Sequence, residues 1–261
     1  MSLPATVEYF DTLTPVTVDD VKTNITSAPS RSCDLDPLPK DVVPARAPPV
    51  CHRNVQQVAE PRCLPQSQRH AIVTPRLKKA NADPSDIKNY RPISNLTFMT
   101  KVVERLVCRQ LVAYLDQRGL LLSLQSADRK HHSTETAVLK VILDILLAAD
   151  RGDVTLLDLI DLLAAFDTVD HEILINHLQT SFGIRGKVLS WILSFISRRT
   201  QTVSFNGKQS TKSVVVCGVP QGSVMGPVMF LLHAADMIEI ARRHGITPHS
   251  YADDTQLSIH T

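Results

Sequence analysis

No two of the five cysteines (Cys33, Cys51, Cys63, Cys108, Cys217) stand in a CxxC spacing, and their number is odd. That scatter argues against a disulfide framework and a zinc site and implies a reducing compartment. No stretch approaches the roughly 18 uncharged apolar residues that a membrane span needs. The opening "MSLPATVEYFD" lacks the basic start and apolar core of a signal peptide. The expectation is an intracellular protein, of cytoplasm or nucleus and not secreted, with no membrane partner. A large charge excess is also missing, since 28 basic residues face 26 acidic ones, for a net charge of +2. Charge alone therefore announces no polyanion partner. Glycine is absent from the first 118 residues, whereas 13 of the 16 prolines fall within residues 1–92.

What is present is enough apolar content, 43% of 261 residues, for a packed core. Residues 76–109 carry eight basic side chains against three acids, and residues 144–172 carry eight acids against one arginine. Such an order suits a site that holds phosphates on one side and cations on the other, and it equally suits solvated helix faces. Residues 42–70 show no period of 2 or 3.6 and read as poorly ordered.

Order improves from Ala71. "HAIVTPRLKK" reads as a short strand leading into basic residues. In "FMTKVVERLVCRQLVAYLDQRG" an apolar stripe through Met99, Val102, Val103, Leu106, Val107, Leu111, Tyr114 and Leu115 predicts an amphipathic helix ended by Gly119. Ser133 is placed to cap a second helix, and "VTLLDLI" (154–160) is compact and apolar enough for a buried strand. Helices follow at "HEILINHLQTSFG" and "GKVLSWILSFISRR", the second with Trp191 as a core residue. Asp167, Asp170 and Glu172 suit a helix start. "TVSFNGKQSTKSVVVC" reads as a hairpin turning at Asn206-Gly207. The loop "GVPQGS" opens a long helix, and "HSYADDTQLSIH" closes the chain as a second hairpin. The adjacent His131 and His132 point different ways and suit a helix-entry loop better than a metal pair. The pattern is α+β, with a mainly antiparallel sheet covered on one face.

Asp161 ends the apolar strand, and Asp253 and Asp254 sit in the tip of the last hairpin. Carboxylates on adjacent strand ends would make a hard-oxygen site for Mg²⁺, and two such ions about 4 Å apart can clamp a phosphoryl transfer. Asp-Asp pairs in loops are also commonly solvated, so spacing by itself leaves both readings open.

Five segments in order resemble the reverse transcriptases of non-LTR, LINE-type retrotransposons: "NYRPISNL" (89–96), "QSADRKHHSTETAVLK" (125–140), "LAAFDTVDH" (163–171), "GVPQGSVMGP" (218–227) and "YADD" (251–254). "SCDLDPLP", from Ser32, is a weaker echo. The resemblance implies the fingers and palm of a right-hand polymerase, an antiparallel palm sheet backed by helices with the thumb absent. It sets residues 1–70 as a partly disordered N-terminal extension, 71–150 as fingers and 151–261 as palm. It implies Asp161, Asp253 and Asp254 as catalytic metal ligands for two Mg²⁺ ions, with Mn²⁺ as an alternative. Asp158 is a rival to Asp161, but only Asp161 keeps Phe166 and Asp167 in the family register. Phe166 is implied beneath the incoming sugar, where its ring would collide with a 2′-OH. Arg91 and Lys78 are implied at the triphosphate, Gln221 and Gly222 against the new base pair, and Lys79 and Tyr251 on nucleic acid. The partners implied are an RNA or DNA template with its primer and deoxynucleoside triphosphates. Asp128, Leu163 and His233 depart from the residue types usual at their positions. Three readings stay open: an RNA-directed DNA polymerase domain, incomplete without a thumb; a non-catalytic nucleic-acid-binding remnant of one; and a decayed open reading frame whose product barely folds.

Overall fold

The computed structural model describes residues 9–27, 35, 63–120, 133–162, 164–252 and 254–260, with Asp161 and His260 described by backbone only. Asp253, His131, His132, Asp128, Leu163, Cys33, Cys51 and residues 42–62 lie outside the described residues.

Six α-helices and eight strands make up these residues: α1 Val18–Thr26, β1 His70–Leu77, β2 Tyr90–Asn95, α2 Phe98–Gln117, α3 Thr134–Asp150, β3 Thr155–Asp161, α4 His171–Thr180, α5 Gly186–Ile196, β4 Arg199–Phe205, β5 Lys208–Gln209, β6 Ser213–Val215, α6 Gly226–Arg243, β7 Thr247–Tyr251 and β8 Asp254–His260. Local signals start and stop several of them. Thr17 and Asp20 form a capping box at α1, and Ser133 with Thr136 does the same at α3. Asp170 caps α4 by accepting from the N–H groups of Glu172 and Ile173. Gly119, at φ +62°, follows the end of α2 as expected.

The α2 stripe is buried as its spacing predicts, with Val102, Val103, Leu106, Val107, Leu111 and Leu115 all in the core. It packs among Leu174 and Leu178 of α4, Val188, Trp191 and Phe195 of α5, and Met229 and Phe230 of α6. Trp191 is indeed core and stacks on Phe195 at 5.9 Å. The N-terminal α1 joins the same core through Val21 and Ile25, and Asp20 pairs with Arg109 of α2 at 2.6 Å. His233 of α6 lies 6.3 Å from the ring of His177, and burial pushes its imidazole below the ordinary range.

Two sheets result. In one, β1 pairs antiparallel with β2 and parallel with β4, and β4 carries β5 and β6. Its β4–β5 turn is the expected Asn206-Gly207, at φ 50° and 74°. The other sheet is antiparallel, in the order β3-β8-β7.

Two expectations need correction. Residues 63–70 are ordered: Leu64 is buried, takes a hydrogen bond from its N–H to Ser194 Oγ (2.6 Å), and its carbonyl accepts from the Arg69 guanidinium (2.8 Å). Ser194 stands 130 residues off in sequence, so no local period announces this anchor. The strand at 154–160 is not buried, since Val154, Leu156 and Leu159 are 72%, 66% and 67% exposed. It is one edge of the sheet, pairing only with β8 among the described residues, and an apolar run does not reveal how many neighbours a strand has or whether its faces are covered. No helix among the described residues is long and apolar enough to cross a membrane.

Candidate functional site

The β3–β8 ladder sets the acidic residues opposite one another. Its register runs from Thr155↔His260 to Ile160↔Thr255 and Asp161↔Asp254, while β7 brings Tyr251 opposite Asp254 from the other side. Asp158, the rival, pairs with Leu257, three steps from the turn. The hairpin is tight because Ala252 takes up φ 57°, a left-handed conformation that few side chains favour. It is held from beneath by a buried hydrogen bond between the hydroxyls of Ser250 and Thr255 (3.1 Å). Asp254 is exposed and Tyr251 half-buried. Among the described residues no three His, Cys, Asp or Glu side chains gather as a metal site.

Phe166 lies within a turn in which the Asp167 N–H donates to the Ala164 carbonyl (2.8 Å). Its ring stacks on Phe230 of α6 at 5.5 Å. Phe230 in turn lines a small cavity with Leu162, Ser250, Ala252 and Thr255, so one ring links Phe166 to the hairpin.

The loop 218–225 ties this region to the other sheet. Val219 N–H donates to the Phe166 carbonyl (2.7 Å), Gly218 N–H donates to that of Val169 (2.8 Å), and Ser94 N–H of β2 donates to that of Gln221 (2.7 Å). Two glycines make the approach possible. A Cβ on Gly218, at φ +84°, would stand 2.8 Å from Asp167 Cα and from the Phe166 carbonyl oxygen. One on Gly222, at φ +103°, would meet the Ser94 carbonyl at 3.2 Å and Ile93 Cγ2 at 3.4 Å. Gly218→Ala is therefore expected to destabilise by about 2 kcal/mol or more, whereas Gly119→Ala, whose Cβ meets nothing within 4 Å, should cost about 1 kcal/mol. Urea titration of both variants measures the difference, and equal costs would mean that the loop relaxes freely.

Arg91 lies two residues before Ile93 on β2, on the same strand face, and is exposed. The loop thus joins Gln221 and Gly222 to β2 directly and to Phe166 through Val219, with Arg91 two residues before Ile93 on that strand. Lys78 and Lys79 stand apart in the exposed β1–β2 connection, where Lys78 N–H donates to the Asn89 carbonyl (2.8 Å).

Three residues of this neighbourhood escaped the sequence reading. Arg76 is the cross-strand partner of Arg91, a pairing of like charges that register alone reveals. Ser94 holds the loop through its backbone, which leaves no signature. Glu104 of α2 is fully buried. Burial pushes its carboxyl up to about 7, against the opposing pull of the Met225 and Val224 N–H groups, Arg199 and Lys101. Its only signal was an acid set among the apolar residues of α2.

Residues 77–261 match the family model described as "Reverse transcriptase (RNA-dependent DNA polymerase)". The RNA-directed DNA polymerase from mobile element jockey of Drosophila melanogaster is 27% identical over 264 residues, which take in 98% of this chain and 28% of that protein. The probable RNA-directed DNA polymerases from transposons BS and X-element of the same fly are 32% and 33% identical, over 65% and 57% of this chain. The chain spans 19% and 16% of those two proteins, so it matches less than a third of the length of each relative. An apo telomerase from Candida tropicalis, truncated from its C-terminal domain, superposes with a TM-score of 0.53 at 12% identity, over 75% of this chain and 44% of that one. That likeness is one of fold, a mixed arrangement of helices and sheets. Reverse transcriptases in general use divalent metals and bind a template, a primer and deoxynucleoside triphosphates. By the match over residues 77–261 and by its relatives, the chain belongs to the reverse transcriptase family, among those of non-LTR, LINE-type retrotransposons.

Proposed function

We propose that this chain is the fingers (71–150) and palm (151–261) portion of an RNA-directed DNA polymerase, which joins deoxynucleotides to a primer 3′ end on an RNA or DNA template. The observation that carries the reading is the Asp161↔Asp254 register at the end of an antiparallel sheet, with Asp253 the neighbour of Asp254 in sequence. Carboxylates at facing strand ends are the donor type that Mg²⁺ or Mn²⁺ takes, so the residues fit the metal the family uses. Bound there by Asp161, Asp253 and Asp254, two such ions would neutralise charge on the reacting phosphates.

The chain's own residues supply position and contact. Arg91, with its planar fork of donors, would grip the triphosphate, and Lys78 would join it when the β1–β2 connection lies over the nucleotide. Phe166, braced by Phe230, would form the floor beneath the sugar. Gln221 and Gly222 would pack against the new base pair, where a residue without a Cβ allows backbone to approach. Lys79 and Tyr251 would touch the nucleic acid. The bond formed joins the primer O3′ to the α-phosphorus, and pyrophosphate leaves.

The test is primer extension by the jockey polymerase carrying residues 1–261 in place of its aligned segment. Metal-dependent incorporation is expected. Salt-sensitive binding of template–primer without any incorporation would overturn the polymerase in favour of a binding remnant. In the same protein Phe166→Val should relax discrimination against ribonucleotides by roughly 10- to 100-fold. Unchanged discrimination would reduce Phe166 to its packing on Phe230.

A further inference from the structure

A carboxylate buried in a protein core is costly unless it is hydrogen-bonded or paired. Glu104 is such a group. Its Oε2 accepts from the N–H of Val224 (2.6 Å) and of Met225 (3.1 Å), which lies at the N-terminal cap of α6. Backbone donors of this kind are left unpaired at a helix start, and an anion there is also favoured by the helix dipole. Its Oε1 is buried and finds no partner among the described residues. The basic groups acting on the carboxylate are Arg199, at the start of β4 and itself buried, and Lys101, one turn earlier on α2.

The two amides belong to the segment that begins with Gln221 and Gly222. Within it Ser223 Oγ accepts from Gly226 N–H (2.9 Å), and a Cβ on Gly226 would stand 2.6 Å from that oxygen. The 218–225 loop is thus pinned to β2 through Ser94, to Phe166 through Val219, and to α2 through Glu104, besides the bond from Gly218 to Val169. The first two pins join it to elements that would meet the nucleotide. The third comes from behind, across 120 residues of sequence.

We infer that Glu104 is a positioning residue, whose buried carboxylate holds the 218–225 loop, and with it Gln221 and Gly222, at the height the incoming nucleotide and its base pair require. This rests on the polymerase reading above. Glu104 touches no substrate and acts only through the loop.

A structural role and a positioning role separate in Glu104→Met. Methionine fills a similar volume and removes a buried charge, a gain that offsets the cost of leaving the two amides without their acceptor, so the melting temperature should stay close to that of wild type. In residues 1–261, hydrogen exchange at the amides of Val224 and Met225 should quicken at least about tenfold with the middle of α6 unchanged. In the jockey polymerase carrying these residues, the KM for deoxynucleotide should rise by a similar factor with template–primer affinity unaltered. Glu104→Gln, which keeps an acceptor oxygen, should restore both readouts. Wild-type exchange in the Met variant would overturn the inference, as would released amides with an unchanged KM. A wild-type protein that incorporates nothing would sink the polymerase reading instead, and the exchange measurement with its Gln rescue then decides whether Glu104 holds the loop.

Discussion

Replacing Asp253 or Asp161 by Asn in the jockey polymerase that carries residues 1–261 is expected to lower primer extension by at least about 10³-fold, a loss of roughly 4 kcal/mol in transition-state stabilisation. An amide keeps the size of the side chain and one acceptor oxygen, but it removes the negative charge that binds a hard cation. Stability should move the other way. Asp161 and Asp254 are directly opposed in the β3–β8 ladder, and like charges so placed are destabilising, so Asp161→Asn should leave the protein as stable or stabilise it by a few tenths of a kcal/mol. Loss of extension with an intact melt identifies a role in chemistry. Extension within tenfold of wild type for both variants would remove these acids from the mechanism.

The second large effect is on stability against pH, through Glu104. Its carboxyl stands at about 7 in the folded chain against an ordinary 4.5, because burial disfavours the charged form more than the Met225 and Val224 amides, Arg199 and Lys101 favour it. A raised pKa means that the folded state binds the proton more tightly than the unfolded one. The proton-linked stability is therefore fully present below about 4.5, is lost as pH rises towards 7, and stays lost above it. The shift corresponds to on the order of 3 kcal/mol. Other groups titrate in the opposite sense. Asp20, held down to about 2 by hydrogen bonds from Thr17 and Arg109, favours folding as pH rises from acid. The comparison that isolates Glu104 is urea denaturation of wild type beside Glu104→Gln at pH 4 to 8. The Gln variant should gain about 3 kcal/mol on wild type across that range. Parallel curves would mean that the carboxylate is solvated.

The amino-acid order determined by itself whatever short-range interactions settle. The α2 stripe, the Ser133 cap and the Asn206-Gly207 turn each depend on residues within a turn or two of one another, so their signals survive without any knowledge of the fold. The order of motifs from 89 to 254 was likewise readable, since ancestry is written in sequence and residues 77–261 match the family. Tertiary structure alone decided what joins distant segments. It paired β1 with β4 in parallel, with His70 Nδ1 and Thr200 Oγ1 3.0 Å apart across 130 residues. It set Asp161 opposite Asp254, where a slip of one residue would have parted them, and it left the apolar side chains of β3 exposed at a sheet edge. It also turned Glu104 from one more charge on a helix into the buried acceptor for a loop 120 residues away. Such pairings depend on how whole elements share a core, a property of many contacts at once that no local stretch of chain encodes.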